Sequence, residues 1–137
     1  MKVLTFLARR FSWKAYSKTL EGVEESNADE QVDETVVAFI HAESRDEGDA
    51  RSRALRHLVK HIKWLAGKRE LKHVVLHSFT HLSSDNAEPS FAQALLNEVD
   101  ERLTGTGYEV HQTPFGHFCE WNLDVYGESL AKVWKDI

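Results

Sequence analysis

Hydrophobic residues in the 137-residue chain follow two periods, one typical of strands and the other of helices. The near-continuous apolar run over residues 35–42 predicts a central strand that is covered on both faces. Apolar residues that recur at the helical period predict one helix over about 49–66 and a second from Pro89 to about Leu103. Strands and helices therefore alternate in the middle of the chain.

Shorter patterns predict the remaining elements. Residues 2–8 and 11–16 read as two strands of a hairpin, with Arg9 and Arg10 at its turn. The apolar positions between Leu130 and Ile137 predict a closing amphipathic helix. The other predicted strands cover residues 71–76, 108–111 and 118–126. The pattern as a whole predicts one domain, residues 1–137, of class α/β or mixed α+β, with a single mixed sheet and helices packed on it.

Residues 17–34 interrupt this alternation. The stretch holds seven carboxylates and almost no apolar residue. Such a composition predicts a solvated, acidic, flexible loop. Because loops of this length are uncommon in compact domains, a mobile flap is the second interpretation.

Composition limits the classes of partner and compartment. The net charge of −5 argues against a protein that coats long nucleic acid, but it is compatible with binding a short single-stranded end. The single cysteine, Cys119, excludes an internal disulfide and fits a reducing compartment. No apolar run approaches the ~18 residues that a bilayer span requires, so we expect a cytoplasmic protein without a membrane partner.

The first candidate site lies where the strand over residues 71–76 ends. His77 and His81 follow it, then Ser83 and Ser84, and a helix begins at Pro89. A strand, a polar elbow and a helix place imidazoles, hydroxyls and free backbone N–H groups at the edge of a sheet. The alternative is that His81 is a structural imidazole and that the serines only shape the turn.

The second candidate site is the segment from Pro114 to Trp121. Pro114 fixes the backbone, and Gly116 permits a close approach or a positive φ. Either the segment is a plain β-turn between strands, or its amides and rings face a ligand beside the first site.

Two further chemistries stay open. A zinc site could form if the strands bring histidines and Cys119 together, although no closely spaced ligand pair supports it. A nucleophilic Cys119 with a histidine base is the other, although a cysteine in a buried strand is more often a small hydrophobe. The residues considered for zinc are His41, His77, His81, His117 and Cys119.

Three blocks, taken together and in order, resemble the archaeal-type editing domain of threonyl-tRNA synthetase. They are the run Val36–Ile40, the run Ser78–Ser84 with Glu88–Ser90, and the turn Thr113–Gly116. The family reads approximately VAFI, PFAHLSS with KPS, and APFGYYK at these places, and the resemblance covers nearly the whole chain. It implies a fold like that of D-aminoacyl-tRNA deacylases, homodimers, and hydrolysis of serine wrongly attached to threonine tRNA.

The resemblance also implies site residues. His81 matches the family histidine, with His117 and Cys119 as further catalytic positions. Phe118 falls where an aromatic residue lines the family's pocket. His41 and His77 are included among the substrate-binding positions because they could partly replace the pocket groups that have changed. The substrate-binding positions are Ser83, Ser84, Pro114, Phe115, Gly116, Phe118, His41 and His77.

The chain departs from the family at several of these places. Cys119 stands where the family has a lysine, after His117 and Phe118 in place of two tyrosines. A family glutamate falls at Lys132, and Leu7–Arg9 replace the usual His-Ser-Asp. The loss of a fixed cation bears directly on catalysis, because such a cation could stabilise developing negative charge.

These observations favour a deacylase that acts in trans on the aminoacylated 3′ end of a mischarged tRNA, without a cofactor. A non-catalytic module that binds tRNA or a synthetase is the alternative. A metal-dependent hydrolase that uses the histidines is the third interpretation, although the resemblance assigns no metal.

Overall fold

A computed structural model describes all residues from 1 to 137 and contains six strands and two α-helices. Short 3₁₀ turns precede α1 and β6. The elements are β1 (Lys2–Lys18), β2 (Asp29–His41), α1 (Arg51–Gly67), β3 (His73–Ser78), α2 (Pro89–Thr104), β4 (Glu109–Gln112), β5 (His117–Val125) and β6 (Lys132–Asp136).

The six strands form one mixed sheet, as the sequence predicts. Its order is β4-β3-β2-β1-β5, and β6 pairs with the first half of β1. The pairs β2–β3 and β3–β4 are parallel, whereas β1 is antiparallel to all its neighbours. The parallel pairs require crossover connections, and these contain the two helices. The predicted helices and the predicted central strand are confirmed.

The predicted hairpin at the start of the chain is wrong, because β1 is one strand of 17 residues. Arg9 and Arg10 mark an irregularity in its pairing with β2 and β5 rather than a turn. Opposite them, Glu34 adopts a positive φ of 51°. A β-bulge thus accommodates the polar interruption and bends the strand without ending it.

The prediction of a flexible loop over residues 17–34 is also wrong at both ends. Residues 17 and 18 belong to β1, and residues 29–34 belong to β2. Val32 is buried and Asp33 accepts a hydrogen bond from Arg10 at 2.9 Å. Pairing along β1 satisfies the backbone of this polar segment, so only residues 19–28 form the connection.

The predicted closing helix is a strand in the structure. Lys132–Asp136 pairs with Lys2–Phe6 of β1, register by register. The free edge of β1 offers a row of backbone donors and acceptors. Pairing with that edge prevails over the helical spacing of Leu130, Val133 and Ile137, and Val133 and Trp134 are themselves good strand formers.

The two faces of the sheet are covered differently. Both helices pack on one face, where the larger hydrophobic core lies. The other face carries a smaller cluster of buried residues that includes Phe11, Trp13 and Phe39. On that face lie aromatic side chains that remain largely exposed, among them Trp134 at 55% and Phe118 at 60%.

The two ends of the chain meet at the edge that β6 closes. The Met1 backbone accepts a hydrogen bond from the Ile137 N–H at 2.9 Å. The Met1 ammonium is buried and lies 2.8 Å from Glu43 and 3.0 Å from Asp46. Neither helix is long and apolar enough to cross a bilayer.

Candidate functional site

A cavity of about 550 Å³ lies beyond the carboxyl ends of β2 and β3. Its walls come from the segment after β3, the first turn of α2, the turn before β5 and the start of β5. Thr19 and Leu20, from the connection between β1 and β2, complete it. β5 contributes to the cavity from the face of the sheet that carries Phe39, because the centroid of the Trp121 ring lies 5.2 Å from that of the Phe39 ring.

The cavity unites the two candidate segments, which 29 residues separate in the sequence. His41, Ser83 and Ser84 are not part of its lining. The residues from the sequence-predicted set that line it are His77, His81, Pro114, Phe115, Gly116, His117, Phe118 and Cys119.

His41 is fully buried behind the loop that follows His81. Its Nδ1 accepts a hydrogen bond from the Leu82 N–H at 3.0 Å. Its Nε2 lies 2.8 Å from the Asp85 carbonyl oxygen and therefore carries the proton that it donates. His41 thus fixes the loop over residues 82–85 from the inside.

Ser83 connects the same loop to the start of the chain. Its hydroxyl donates to Glu43 at 2.7 Å, and Glu43 also pairs with the Met1 ammonium. Burial alone would raise the pKa of Glu43. The hydrogen bonds from the Met1 ammonium, Ser83 and Lys2 prevail and lower that pKa to about 2. Glu43 is therefore an anion in the fold and holds the loop in place.

His77 is a buried wall of the cavity. Its Nδ1 lies 2.8 Å from the Thr113 hydroxyl, and its ring packs against Phe39. Burial lowers the pKa of His77 to about 4, so the imidazole is neutral at physiological pH.

His81 is exposed at the rim of the cavity, with its ring edge against Phe79 at 5.1 Å. The backbone N–H groups of Thr80 and His81 donate to no acceptor in the protein. The segment therefore offers an imidazole and two free backbone donors to a ligand.

His117 uses both ring nitrogens within the protein. Its Nδ1 lies 3.1 Å from the Phe115 carbonyl oxygen, and its Nε2 accepts a hydrogen bond from the Ser26 N–H at 3.1 Å. The ring is therefore neutral with its proton on Nδ1. It joins the turn before β5 to residues 19–28, which we call the acidic connection between β1 and β2.

Gly116 allows this connection to lie close to the turn. Its φ is +72°, and an added Cβ would lie 3.1 Å from the Val23 side chain. The Gly116 carbonyl accepts a hydrogen bond from the Thr19 N–H at 2.7 Å. The acidic connection is thus a wall of the cavity and is held by three contacts.

Cys119 lines the cavity as a half-buried thiol. Burial raises its pKa above the ordinary value, so the thiolate needed for nucleophilic attack is scarce at neutral pH. His41 and His117 are engaged in the contacts described above. No group of three or more histidine, cysteine, aspartate or glutamate side chains has the geometry to hold a metal ion.

The sequence did not indicate several residues of the lining. Thr19 and Leu20 lie in a stretch that is polar overall, and the apolar Leu20 and Val23 were the only signal of packing there. Trp121, by contrast, ends the second candidate segment; it is 43% exposed and lines the cavity.

Comparison with known proteins matches the whole length of the chain to one family. Residues 1–137 match the family described as the Archaea-specific editing domain of threonyl-tRNA synthetase. The chain is 35% identical to a threonine–tRNA ligase of Staphylothermus marinus and 30% identical to that of Pyrococcus horikoshii. Each match covers 100% of this chain and 22% of the relative, so the chain spans about a fifth of their length.

A solved structure, the c-Myc DNA unwinding element binding protein, shares the fold with a TM-score of 0.73 at 13% identity. The match covers 100% of this chain and 99% of that one. The fold is therefore the D-aminoacyl-tRNA deacylase-like mixed sheet expected from the motifs. With its whole length matched, the chain belongs to the Archaea-specific threonyl-tRNA synthetase editing domain family.

Proposed function

We propose that the chain hydrolyses the ester of a mischarged tRNA, with serine on threonine tRNA as its substrate, and that it acts in trans. The observation that best supports this proposal is that the two motif segments line the same cavity. The chain also belongs to the editing family. Serine lacks one methyl group of threonine, and a missing methyl supplies only ~1–3 kcal/mol of discrimination. A hydrolytic second sieve corrects the resulting errors.

The lining of the cavity suits an aminoacylated adenosine. Phe118 and Trp121 offer aromatic surface on which the base can stack. His81 would orient the aminoacyl ester, and Phe115 and Gly116 would border it. A water molecule attacks the ester carbonyl, assisted by the ribose hydroxyl of the tRNA, and the protein mainly holds the reacting groups in place.

Charge develops on the carbonyl oxygen during this attack. Cys119 supplies no cation there, since its thiol is neutral. The free N–H groups of Thr80 and His81 are the donors that would stabilise the oxyanion. A catalyst that uses only backbone donors is expected to be slower than one that adds a lysine.

The test is deacylation of Ser-tRNA(Thr), with Thr-tRNA(Thr) and D-aminoacyl-tRNA as comparison substrates. We expect hydrolysis of the seryl ester to exceed that of the threonyl ester, and His81→Ala to slow it by about tenfold or more. Cys119→Lys should raise the rate, because it adds a cation beside the ester, whereas Cys119→Ser is the matched control without charge. Absence of turnover on all three substrates would contradict the proposal.

A specific observation favours a second candidate, a non-catalytic module that binds tRNA or a synthetase. By the resemblance described above, Cys119 and Lys132 stand where the family carries a lysine and a glutamate. Lys132 lies outside the cavity lining and donates to the Tyr126 carbonyl at 3.0 Å. Binding of Ser-tRNA(Thr) without hydrolysis, together with turnover gained by Cys119→Lys, would establish this candidate in place of the first.

We also propose that the chain pairs as a homodimer and works in the cytoplasm, where aminoacyl-tRNA is made and used. The helix-free face supports dimer formation, because Leu4 and Phe6 are only partly covered and Trp134 beside them is largely exposed. Such a patch is typical of an interface. A synthetase is a further partner, since the family's domain belongs to one.

A further inference from the structure

The exposed side of α1 carries a row of basic residues, although the chain as a whole has a net charge of −5. Arg53, Arg56, Lys60 and Lys63 follow one another at intervals of three and four residues, so they lie in a row on one face of the helix. We name this row the basic stripe. It covers about 15 Å along the helix at ~1.5 Å per residue.

No acidic side chain neutralises the basic stripe. The helix contains no aspartate or glutamate, and none of the four cations forms an ion pair or a hydrogen bond. All six arginines outside the basic stripe form ion pairs, as Arg51 does with Glu98. Six lysines elsewhere, like the basic stripe, form none. Lys135 of β6 adds positive charge to the same region, because after burial it is the second cause of the lowered pKa of His61.

The row is unfavourable for the isolated fold. Each consecutive pair in the basic stripe stands three or four positions apart, and like charges at these spacings destabilise a helix. None of the 22 acidic residues of the chain lies in this helix. A row of four like charges in a helix without an acidic residue therefore points to an anionic partner that supplies the missing charge.

The charge is distributed asymmetrically around the cavity. On one side, β2 ends at His41, Ala42 lines the cavity, and two 3₁₀ turns lead to the start of α1. On another side, the acidic connection contributes Thr19 and Leu20, followed by Glu21, Glu24 and Glu25. A polyanion whose end enters the cavity is repelled by the acidic connection and attracted towards the basic stripe.

We propose that the basic stripe binds the phosphate backbone of the tRNA stem whose 3′ end occupies the cavity. This inference rests on the proposed function. A row of evenly spaced cations suits a backbone whose charge repeats at regular intervals, and duplex RNA is recognised mainly through its shape, phosphates and ribose hydroxyls. The contact adds affinity for tRNA of any sequence.

The experiment compares two nucleic-acid probes, an uncharged tRNA transcript and the trinucleotide CCA, by titration at several salt concentrations. The variant is Lys60→Gln/Lys63→Gln. The matched control is Lys14→Gln/Lys72→Gln, which removes two exposed cations outside the stripe. We expect the stripe variant to weaken tRNA binding by roughly tenfold and to lower the salt slope by about one per lysine, and to bind CCA as the wild type does.

Two results would overturn the proposal. One is equal loss of tRNA affinity in the control variant, which would show a general charge effect. The other is unchanged tRNA affinity in the stripe variant, including the case in which that variant instead loses capture of an acidic protein partner. A failure of the proposed function can be distinguished from a failure of this inference. The proposed function requires turnover of Ser-tRNA(Thr), whereas tRNA binding through the basic stripe requires no turnover.

Discussion

Single histidines in this fold have roles that only their partners reveal. His41 holds a loop, His117 joins a turn to a connection, and His81 is free at the rim of the cavity. All three follow or begin a strand in the sequence and look alike there. Leu82 lies 41 residues from His41, and Ser26 lies 91 residues from His117, so these two hydrogen bonds could not be predicted from local patterns.

His77 gives a prediction about pH. Burial lowers its pKa from 6.5 to about 4, so the unfolded chain binds a proton between these values and the folded chain does not. Stability therefore falls as the pH drops from about 6.5 to about 4. The loss for this residue between pH 7 and pH 5 is about 2 kcal/mol, and His61, whose pKa is also about 4, acts in the same direction.

Urea unfolding at pH 7 and pH 5 measures this effect. We expect His77→Phe to lower the stability at pH 7 by about 1–3 kcal/mol, since the Thr113 hydroxyl loses its partner, and to reduce the difference between the two pH values. His81→Phe is the control, because His81 is exposed. A pH difference as large in His77→Phe as in the wild type would contradict the assignment.

Elements whose apolar residues follow a clear helical or strand period could be predicted from the sequence. Elements whose conformation depends on pairing with a distant strand could not. Both helices and the central strand β2 are explained by their own apolar positions. The long β1 and the closing β6 exist because each completes the other's hydrogen bonding. The two arginines in β1 and the helical spacing before Ile137 were local signals that non-local pairing overrides.

The turn before β5 and the acidic connection act as one element. Gly116→Ala should weaken both, because a residue at φ +72° with a Cβ 3.1 Å from Val23 must displace the connection. We expect a loss of about 1–2 kcal/mol from the backbone alone and faster amide exchange at Thr19 and Ser26, measured by mass spectrometry.

Gly67→Ala is the matched control for this change. Gly67 lies in the last turn of α1, has no positive φ and has open space around its Cα. Alanine there should leave stability equal or raise it by up to about 1 kcal/mol. If the two alanine variants behave alike, the close approach of the connection to Gly116 is not needed for the fold.

At the scale of the whole molecule, the proposed homodimer would form through the face of the sheet that the helices leave uncovered. Trp134 is the most exposed tryptophan and lies on the helix-free face opposite Leu4. We expect Trp134→Glu to shift the chain from dimer to monomer in sedimentation equilibrium with little change in its folding, since the side chain is already in contact with water.

Trp64→Glu is the comparison variant, because Trp64 is a similarly exposed tryptophan on the helical face. It should leave the association state unchanged. A wild-type chain that sediments as a monomer at all concentrations would remove the dimer proposal and leave the cavity and its residues as described.

The meeting of the two chain ends has a consequence for how this domain can be tethered. Any polypeptide joined to either end leaves the fold at the same point, where Ile137 pairs with Met1. Joining through Ile137 leaves the ion pair between the Met1 ammonium and Glu43 intact. Joining through Met1 would replace that ammonium with a neutral amide and remove one of the anchors of the loop that carries Ser83. A fusion partner attached at Ile137 would therefore disturb this loop less than the same partner attached at Met1.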